Sequence, residues 1–162
     1  MTRLHLRDEA ATRALAAALA ATAPVPAVVY LHGDLGSGKS TLARAWLRAL
    51  GITGTVRSPT YTLVERYPLA AGGEALHLDL YRIGAAGELE YLGLDDAAAA
   101  LWLVEWPDRG TGALPPADLD LHLAIDGSGR AADLLAASER GRTWLQRVAE
   151  TVDLRPIPEP DP

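Results

Sequence analysis

The chain has 162 residues, of which 49% are hydrophobic and 22% are charged, with no cysteine and a formal net charge of −6. This length predicts one domain with a core large enough to fold without a disulfide or a cofactor. The absence of cysteine excludes disulfide frameworks and thiolate zinc sites. The acidic charge argues against tight, unaided binding to nucleic acid, so we expect any link to RNA to pass through a partner protein.

The N-terminal part of the chain predicts alternating strands and helices. Leu4 and Leu6 alternate with polar residues as in a short strand, and Asp8 can then cap a helix. The unbroken apolar run 27–31 predicts a central parallel strand that is buried on both faces. Apolar residues at helical spacing predict the next helix over 39–50. The start of the chain lacks a cationic segment followed by an apolar one, which favours a cytoplasmic protein over a secreted one.

The remaining chain predicts mostly strands. Residues 60–64 are rich in strand-forming types, a turn follows over 68–73, and 75–81 alternates leucine with polar residues, so we expect an antiparallel hairpin. Further predicted elements are two short helical pieces at 88–94 and 95–100, strands at 101–105, 119–125 and 131–137, and a helix at 139–148. We expect one domain over 1–152 and a proline-rich, acidic, disordered tail over 153–162.

The strongest motif is the phosphate-loop pattern G-x-x-x-x-G-K-[ST], which residues 33–40 fit at every specified position. Glycines let successive N–H groups point at an anion, and the following helix presents its positive end to the same place. ATP and Mg²⁺ are the expected ligands. The predicted nucleotide-binding residues are Gly33, Asp34, Leu35, Gly36, Ser37, Gly38, Lys39, Ser40 and Thr41.

Hydrolysis also needs acidic groups near Mg²⁺ and a group that positions water. Glu105 ends an apolar strand, where parallel sheets place their ligand crevice, although it can also simply mark the strand's exit. Asp79 shares a strand face with His77 and is costly to bury without a partner, although it can also be an exposed strand residue. Thr60 lies in a Ser-Pro-Thr segment that is either a plain turn or a segment ordered by the γ-phosphate. Trp106 is either core or a pocket contact.

Four pieces in this order resemble the TsaE family of bacterial tRNA threonylcarbamoyladenosine biosynthesis ATPases over about residues 3–150. They are Gly-Asp-Leu-Gly-Ser-Gly-Lys-Ser-Thr, Arg-Ser-Pro-Thr-Tyr-Thr-Leu-Val, His-Leu-Asp-Leu-Tyr-Arg and Leu-Val-Glu-Trp-Pro. The resemblance implies an α/β, P-loop NTPase-like three-layer sandwich with a mixed, mainly parallel central sheet and an antiparallel hairpin. It also implies an ATPase subunit that works with the other threonylcarbamoyl-transfer proteins on the tRNA adenosine next to the anticodon, with tRNA contacted only through them.

The resemblance carries residue roles as well. Together with the phosphate-loop motif, which places Lys39 on the β- and γ-phosphates and Ser40 on Mg²⁺, it implies a catalytic set of Lys39, Thr60, Asp79 and Glu105, and a Mg²⁺ set of Ser40, Glu105 and Asp79. Serine stands at positions 37 and 40, where relatives often have alanine and threonine, but the hydroxyl that Mg²⁺ requires is kept at 40.

Other functions remain open at this point. The same loop serves small-molecule kinases, although no arginine-rich lid is evident, and it also serves nucleotide-dependent modules that do not hydrolyse. A guanine-specific switch lacks its Asn-Lys-x-Asp segment. Several arginines are candidates for stabilising transition-state charge, and the sequence does not choose among Arg57, Arg66, Arg82 and Arg109.

Overall fold

The computed structural model describes residues 1–94 and 99–151. The elements in chain order are β1 (Thr2–Leu6), α1 (Glu9–Thr22), β2 (Ala27–His32), α2 (Lys39–Ala49), β3 (Val64–Pro68), β4 (Glu74–Asp79), β5 (Ala99–Glu105), β6 (Leu119–Asp126), β7 (Gly129–Ala136) and α3 (Glu139–Thr151). Short 3₁₀ helices span Ala86–Leu92 and Pro107–Gly110. Within these described ranges, no helix combines the length and the apolar character that crossing a bilayer requires.

The strands form a seven-stranded sheet in the order β1-β7-β6-β2-β5-β4-β3. The four central strands, β6, β2, β5 and β4, pair in parallel. Antiparallel pairs flank them, with β3 on one side and β7 and β1 on the other. The phosphate-binding motif therefore follows a central strand, at the edge where parallel strands end and ligands bind in α/β folds.

Helices cover one face of this sheet. Leu15 of α1, Leu42 and Trp46 of α2 and Trp144 of α3 belong to the larger hydrophobic cluster. The rings of Trp46 and Trp144 meet edge to face, with their centroids 5.8 Å apart. This packing anchors α2, and with it the phosphate loop, against the sheet.

The opposite face carries a second, smaller cluster. Leu76 and Leu78 of β4 and Val104 of β5 pack there against Leu89 of the first 3₁₀ helix. Because alternate strand residues point to opposite faces, His77 lies on the helix side of β4 together with Asp79. The expected α/β three-layer sandwich with an antiparallel hairpin is thus confirmed, its third layer consisting of 3₁₀ helix and connecting segments.

Two local predictions differ from the structure. The strand expected over 60–64 begins only at Val64. Residues before it form turns, because the Leu63 N–H donates to the Pro59 carbonyl (2.8 Å) and Leu63 adopts a left-handed φ of 66°. The helical piece expected at 88–94 is a 3₁₀ helix over Ala86–Leu92.

Other predictions involve residues that the structure does not describe. Of the helical piece expected at 95–100, residues 95–98 lie outside the described residues, and 99 and 100 belong to β5. The tail predicted over 153–162, and residue 152 of the predicted domain, lie outside them as well. The cap at Asp8, by contrast, is confirmed, since its Oδ1 accepts the Ala11 N–H at 2.9 Å.

Candidate functional site

The phosphate loop connects β2 directly to α2 through glycines with positive φ. Gly33 has φ 146°, and a Cβ there would lie 2.4 Å from the Leu123 carbonyl oxygen, so a side chain is excluded. Gly38 caps α2 with φ 106° and offers no side-chain hydrogen bond to the helix end. The first N–H groups of α2 therefore remain available to an anion, as phosphate binding requires.

Lys39 is held inside the loop. Its Nζ donates to the carbonyl oxygens of Gly33 (2.5 Å) and Asp34 (2.9 Å), and the residue is 5% exposed. Burial lowers the pKa of Lys39 from its usual value, while the nearby carboxylates of Glu105, Asp79 and Asp34 act in the opposite direction. The ammonium is thus poorly hydrated, and its hydrogen bonds go to loop carbonyls that a phosphate group could replace.

Asp79 and Glu105 are neighbours across the parallel pairing of β4 and β5. Glu105 is 2% exposed, and the Ser40 hydroxyl donates to its Oε1 at 3.0 Å and its Oε2 at 3.2 Å. His77 Nε2 lies 2.6 Å from Glu105 Oε2, and with the carboxylate ionised this nitrogen is the donor. The hydroxyl at the start of α2 and the buried histidine of β4 are therefore linked by hydrogen bonds through Glu105.

Thr60 reaches the same place from the Ser-Pro-Thr segment. Its Oγ1 lies 2.7 Å from the Ser58 hydroxyl and donates to Asp79 Oδ2 over a long 3.5 Å. Asp79 Oδ1 accepts the Tyr81 N–H at 3.1 Å. The long contact to Asp79 is weak, so Thr60 is held mainly by its own turn.

Aromatic rings form the wall beside Lys39. Trp106 has a left-handed φ of 56°, and its ring centroid lies 4.5 Å from Lys39 Nζ. The ring of Tyr81 lies 4.9 Å from that of Trp106, and the Arg109 guanidinium lies 5.6 Å from the Tyr81 centroid. Trp106 is therefore a pocket residue, one of the two interpretations that the sequence left open.

A cleft of about 260 Å³ lies between the phosphate loop, the two carboxylates and the rings of Tyr81 and Trp106. Its donor set fits magnesium and a nucleotide phosphate chain: a hydroxyl beside two carboxylates supplies the hard oxygen ligands that Mg²⁺ prefers, and the glycine loop with its lysine supplies donors for phosphate. The Ser37 hydroxyl is buried and, among the described residues, has no hydrogen-bond partner. The residues lining the cleft are Leu35, Gly36, Gly38, Lys39, Ser40, Thr41, Thr60, Asp79, Tyr81, Glu105, Trp106 and Arg130.

The structure brings Lys39, Ser40, Thr60, Asp79 and Glu105 together, while their chemical roles stay predictions. Sequence reasoning missed two neighbours. His77 carried no metal-ligand spacing, but its place two residues before Asp79 put it on the same strand face. Arg130 had no local signal, because it reaches the loop from β7.

The arginines singled out by sequence are placed differently. Arg66 pairs with Glu74 (3.3 Å) and Arg82 stacks on Tyr61 (4.7 Å to the ring centroid). Within the described part of the chain, the arginine that lines the cleft is Arg130.

Comparison with known proteins gives a consistent result. A family model described as "Threonylcarbamoyl adenosine biosynthesis protein TsaE" matches residues 6–132. The tRNA threonylcarbamoyladenosine biosynthesis protein TsaE of Haemophilus influenzae is 43% identical over 120 residues, which is 73% of this chain and 75% of that protein. The Aquifex aeolicus protein of the same name is 34% identical over 122 residues, 74% of this chain and 84% of its own. The crystal structure of Bacillus subtilis YdiB superimposes with a TM-score of 0.75 at 28% identity and covers 92% of this chain and 94% of that one.

Proposed function

This chain belongs to the TsaE family, and we propose that it is the ATPase subunit required for threonylcarbamoyladenosine modification of tRNA. In this proposal it binds ATP with magnesium in the cytoplasm and hydrolyses ATP to ADP and phosphate. Its partners are the other proteins of the bacterial threonylcarbamoyl-transfer complex. The acidic net charge of −6 supports contact with tRNA only through those partners.

One observation carries the proposal: the phosphate loop and two strand-end carboxylates converge in a single cleft. Ser40, at the start of α2, donates to both oxygens of Glu105 at the end of β5. Asp79 lies beside Glu105 on β4. A module that binds nucleotide without hydrolysis has no need of two buried carboxylates at the loop, because burying them is costly.

In this proposal each residue has a role that its position in the cleft supports. Lys39 and the loop N–H groups would bind the phosphates, Ser40, Glu105 and Asp79 would hold magnesium, and Thr60 would complete the site beside them. Magnesium, when bound, neutralises charge on the phosphate oxygens. Glu105 cannot turn away from Ser40 freely, because His77 fixes its second oxygen at 2.6 Å.

The isolated chain should turn over slowly. Unassisted phosphate-loop GTPases hydrolyse at about 10⁻⁴ to 10⁻² s⁻¹, and a stabilising arginine supplied by a partner is worth about 10³ to 10⁵ in rate. We therefore expect phosphate release to rise when the transfer proteins are added.

The test measures phosphate release and tRNA modification in a mixture of this chain with the host's other threonylcarbamoyl-transfer proteins. The variants are Lys39→Ala and Glu105→Gln, with Glu150→Gln, an exposed residue of α3, as the matched control for loss of a carboxylate. We expect both site variants to stop modification while keeping the wild-type circular dichroism spectrum, and the control to behave as wild type.

Two results would contradict the proposal. Normal tRNA modification by the Glu105→Gln variant would show that the Glu105 carboxylate is not required for the activity. ATP consumption that yields a phosphorylated metabolite instead of free phosphate would identify a small-molecule kinase.

A further inference from the structure

Arg130 stands at the phosphate loop although it belongs to a distant element. It is the second residue of β7, and its backbone is fixed by close packing, because a Cβ on the preceding Gly129 would lie 2.5 Å from the Leu6 carbonyl oxygen. Its NH1 donates to the Gly129 carbonyl (2.8 Å) and its NH2 to the Gly36 carbonyl (3.3 Å). The side chain thus lies along the outer edge of the loop and lines the cleft.

The guanidinium has unused hydrogen-bonding capacity. Arginine carries five N–H groups and stays charged, and Nε of Arg130 is buried without a partner among residues 1–94 and 99–151. The contact to Gly36 at 3.3 Å is longer than a typical N–H···O hydrogen bond. A phosphate group suits this fork far better than a single carbonyl oxygen, because guanidinium binds oxyanions in two parallel, charge-assisted hydrogen bonds.

The strand order decides which phosphate Arg130 can reach. The loop follows β2, and the carboxylates come from β5 and β4 on one side of that strand. Arg130 comes from β7, beyond β6, on the other side. Ser40 and Glu105, which would hold magnesium beside the terminal phosphates, lie on the carboxylate side of the loop. A nucleotide that places its γ-phosphate toward the carboxylates therefore extends its α-phosphate and nucleoside toward β6 and β7.

We propose that Arg130 is a nucleotide-positioning residue that pairs with the α-phosphate of a bound nucleoside di- or triphosphate. This inference rests on the proposed nucleotide binding. It gives the nucleotide site a second cation besides Lys39, the only lysine in the sequence. It makes Arg130 a determinant of affinity and not the group that stabilises the transferring phosphate.

The consequence is a specific pattern across ligands. Because ADP and ATP share the α-phosphate, loss of Arg130 weakens both by the same factor, about 10- to 100-fold for one charge-assisted pair. The maximal rate of phosphate release at saturating ATP stays within about twofold of wild type, because the lost contact is equal in ground state and transition state.

The test uses the full chain and measures dissociation constants for Mg-ADP and Mg-ATP by calorimetry, and kcat and KM for phosphate release. The main variant is Arg130→Met, which keeps an unbranched stem beside Gly38 and removes the charge; Arg130→Lys keeps a charge without the fork. Arg142→Ala is the matched control, an exposed arginine of α3 that pairs with Glu139 at 3.4 Å. We expect Arg130→Met to weaken the binding of both nucleotides by the same factor, Arg130→Lys to weaken it less, and Arg142→Ala to leave both dissociation constants unchanged.

The failures are distinguishable. If wild type binds neither nucleotide, the proposed function falls and the role of Arg130 falls with it. If wild type binds and Arg130→Met binds ADP equally well, only the role of Arg130 is overturned. Unchanged ADP affinity with a strongly reduced kcat overturns it too, and places the guanidinium at the transferring phosphate. Urea unfolding of each variant confirms that the compared proteins are folded.

Discussion

Replacement of His77 by alanine tests whether Glu105 depends on its buried partner. In the wild-type chain His77 and Glu105 have side chains that are 2% and 3% exposed, and they meet at 2.6 Å. The variant leaves the carboxylate in place with the Ser40 hydroxyl as its remaining donor among the described residues.

The expected loss of stability in His77→Ala is the balance of opposing contributions. A hydrogen bond to a charged group is worth about 1.5–3 kcal/mol, and removing one partner from a buried polar group costs about 1–3 kcal/mol. Two features reduce the cost: Ser40 still donates to both oxygens, and the variant also removes the His77 Nδ1, which is buried without a partner in the described part of the chain. We therefore expect a loss of about 2 kcal/mol in the free energy of unfolding, in a domain whose total is about 5–15 kcal/mol.

The assay is urea unfolding followed by circular dichroism near pH 7. With an m-value of about 1–3 kcal/mol per molar, a 2 kcal/mol loss moves the midpoint by about 1 M urea. His77→Gln serves as the matched variant, since its amide nitrogen can reach the position of Nε2, and it should recover part of the loss.

A double-mutant cycle isolates the pair. In a Glu105→Gln background the partner is neutral and accepts a weaker hydrogen bond, so removal of His77 should cost less than half of what it costs in wild type. A loss below about 0.5 kcal/mol in the wild-type background, or an equal loss in both backgrounds, would refute the reasoning, because His77 would then act only through packing.

Three further predictions concern stability. The Arg3 guanidinium, hydrogen-bonded to Asp133, holds the pKa of that carboxyl below its usual 3.8. Asp133→Asn should therefore lower the free energy of unfolding by up to about 1 kcal/mol above pH 4. This difference should disappear as the pH falls through the lowered pKa, and urea unfolding across pH 2–7 measures it. Gly33→Ala should cost about 2–4 kcal/mol, read from thermal unfolding, because its Cβ meets the Leu123 carbonyl oxygen at 2.4 Å. Gly141→Ala, which in an ordinary helix stabilises by about 1 kcal/mol, should instead destabilise in the same thermal assay, because a Cβ there lies 1.9 Å from a backbone oxygen.

Short patterns in the sequence were sufficient to place the parts of the site that lie within a single segment of the chain. The phosphate loop is a continuous motif, and the leucine alternation of β4 is sufficient to place His77 and Asp79 on one strand face. Glu105 followed from the end of an apolar strand. The exact start of β3 was predicted wrongly, because strand propensity over 60–64 is overridden by the turn in which Leu63 bonds back to Pro59.

Contacts between residues on distant strands could not be predicted from these local patterns. The pairing of Asp79 with Glu105 depends on the register of β4 against β5. Arg130 depends on β7 folding back beyond β6, 94 residues after Gly36, whose carbonyl it contacts. A single sequence carries no signal for such registers, because many pairings of the same strands satisfy the same alternation.

A buried carboxylate alone does not identify a functional site, as Asp118 demonstrates. It is 7% exposed, and its Oδ2 accepts the Val28 N–H at 2.9 Å while its Oδ1 accepts the Ser138 hydroxyl at 2.7 Å. Val28 belongs to β2 and Ser138 directly precedes α3, so Asp118 joins the sheet to the last helix. Glu105 is buried as well, but one of its donors is the Ser40 hydroxyl, a side chain that lines an open cleft and can turn to a metal ion. The two acids differ in whether the partner side chain could exchange the carboxylate for a ligand, and this difference favours Glu105 over Asp118 as a candidate site residue.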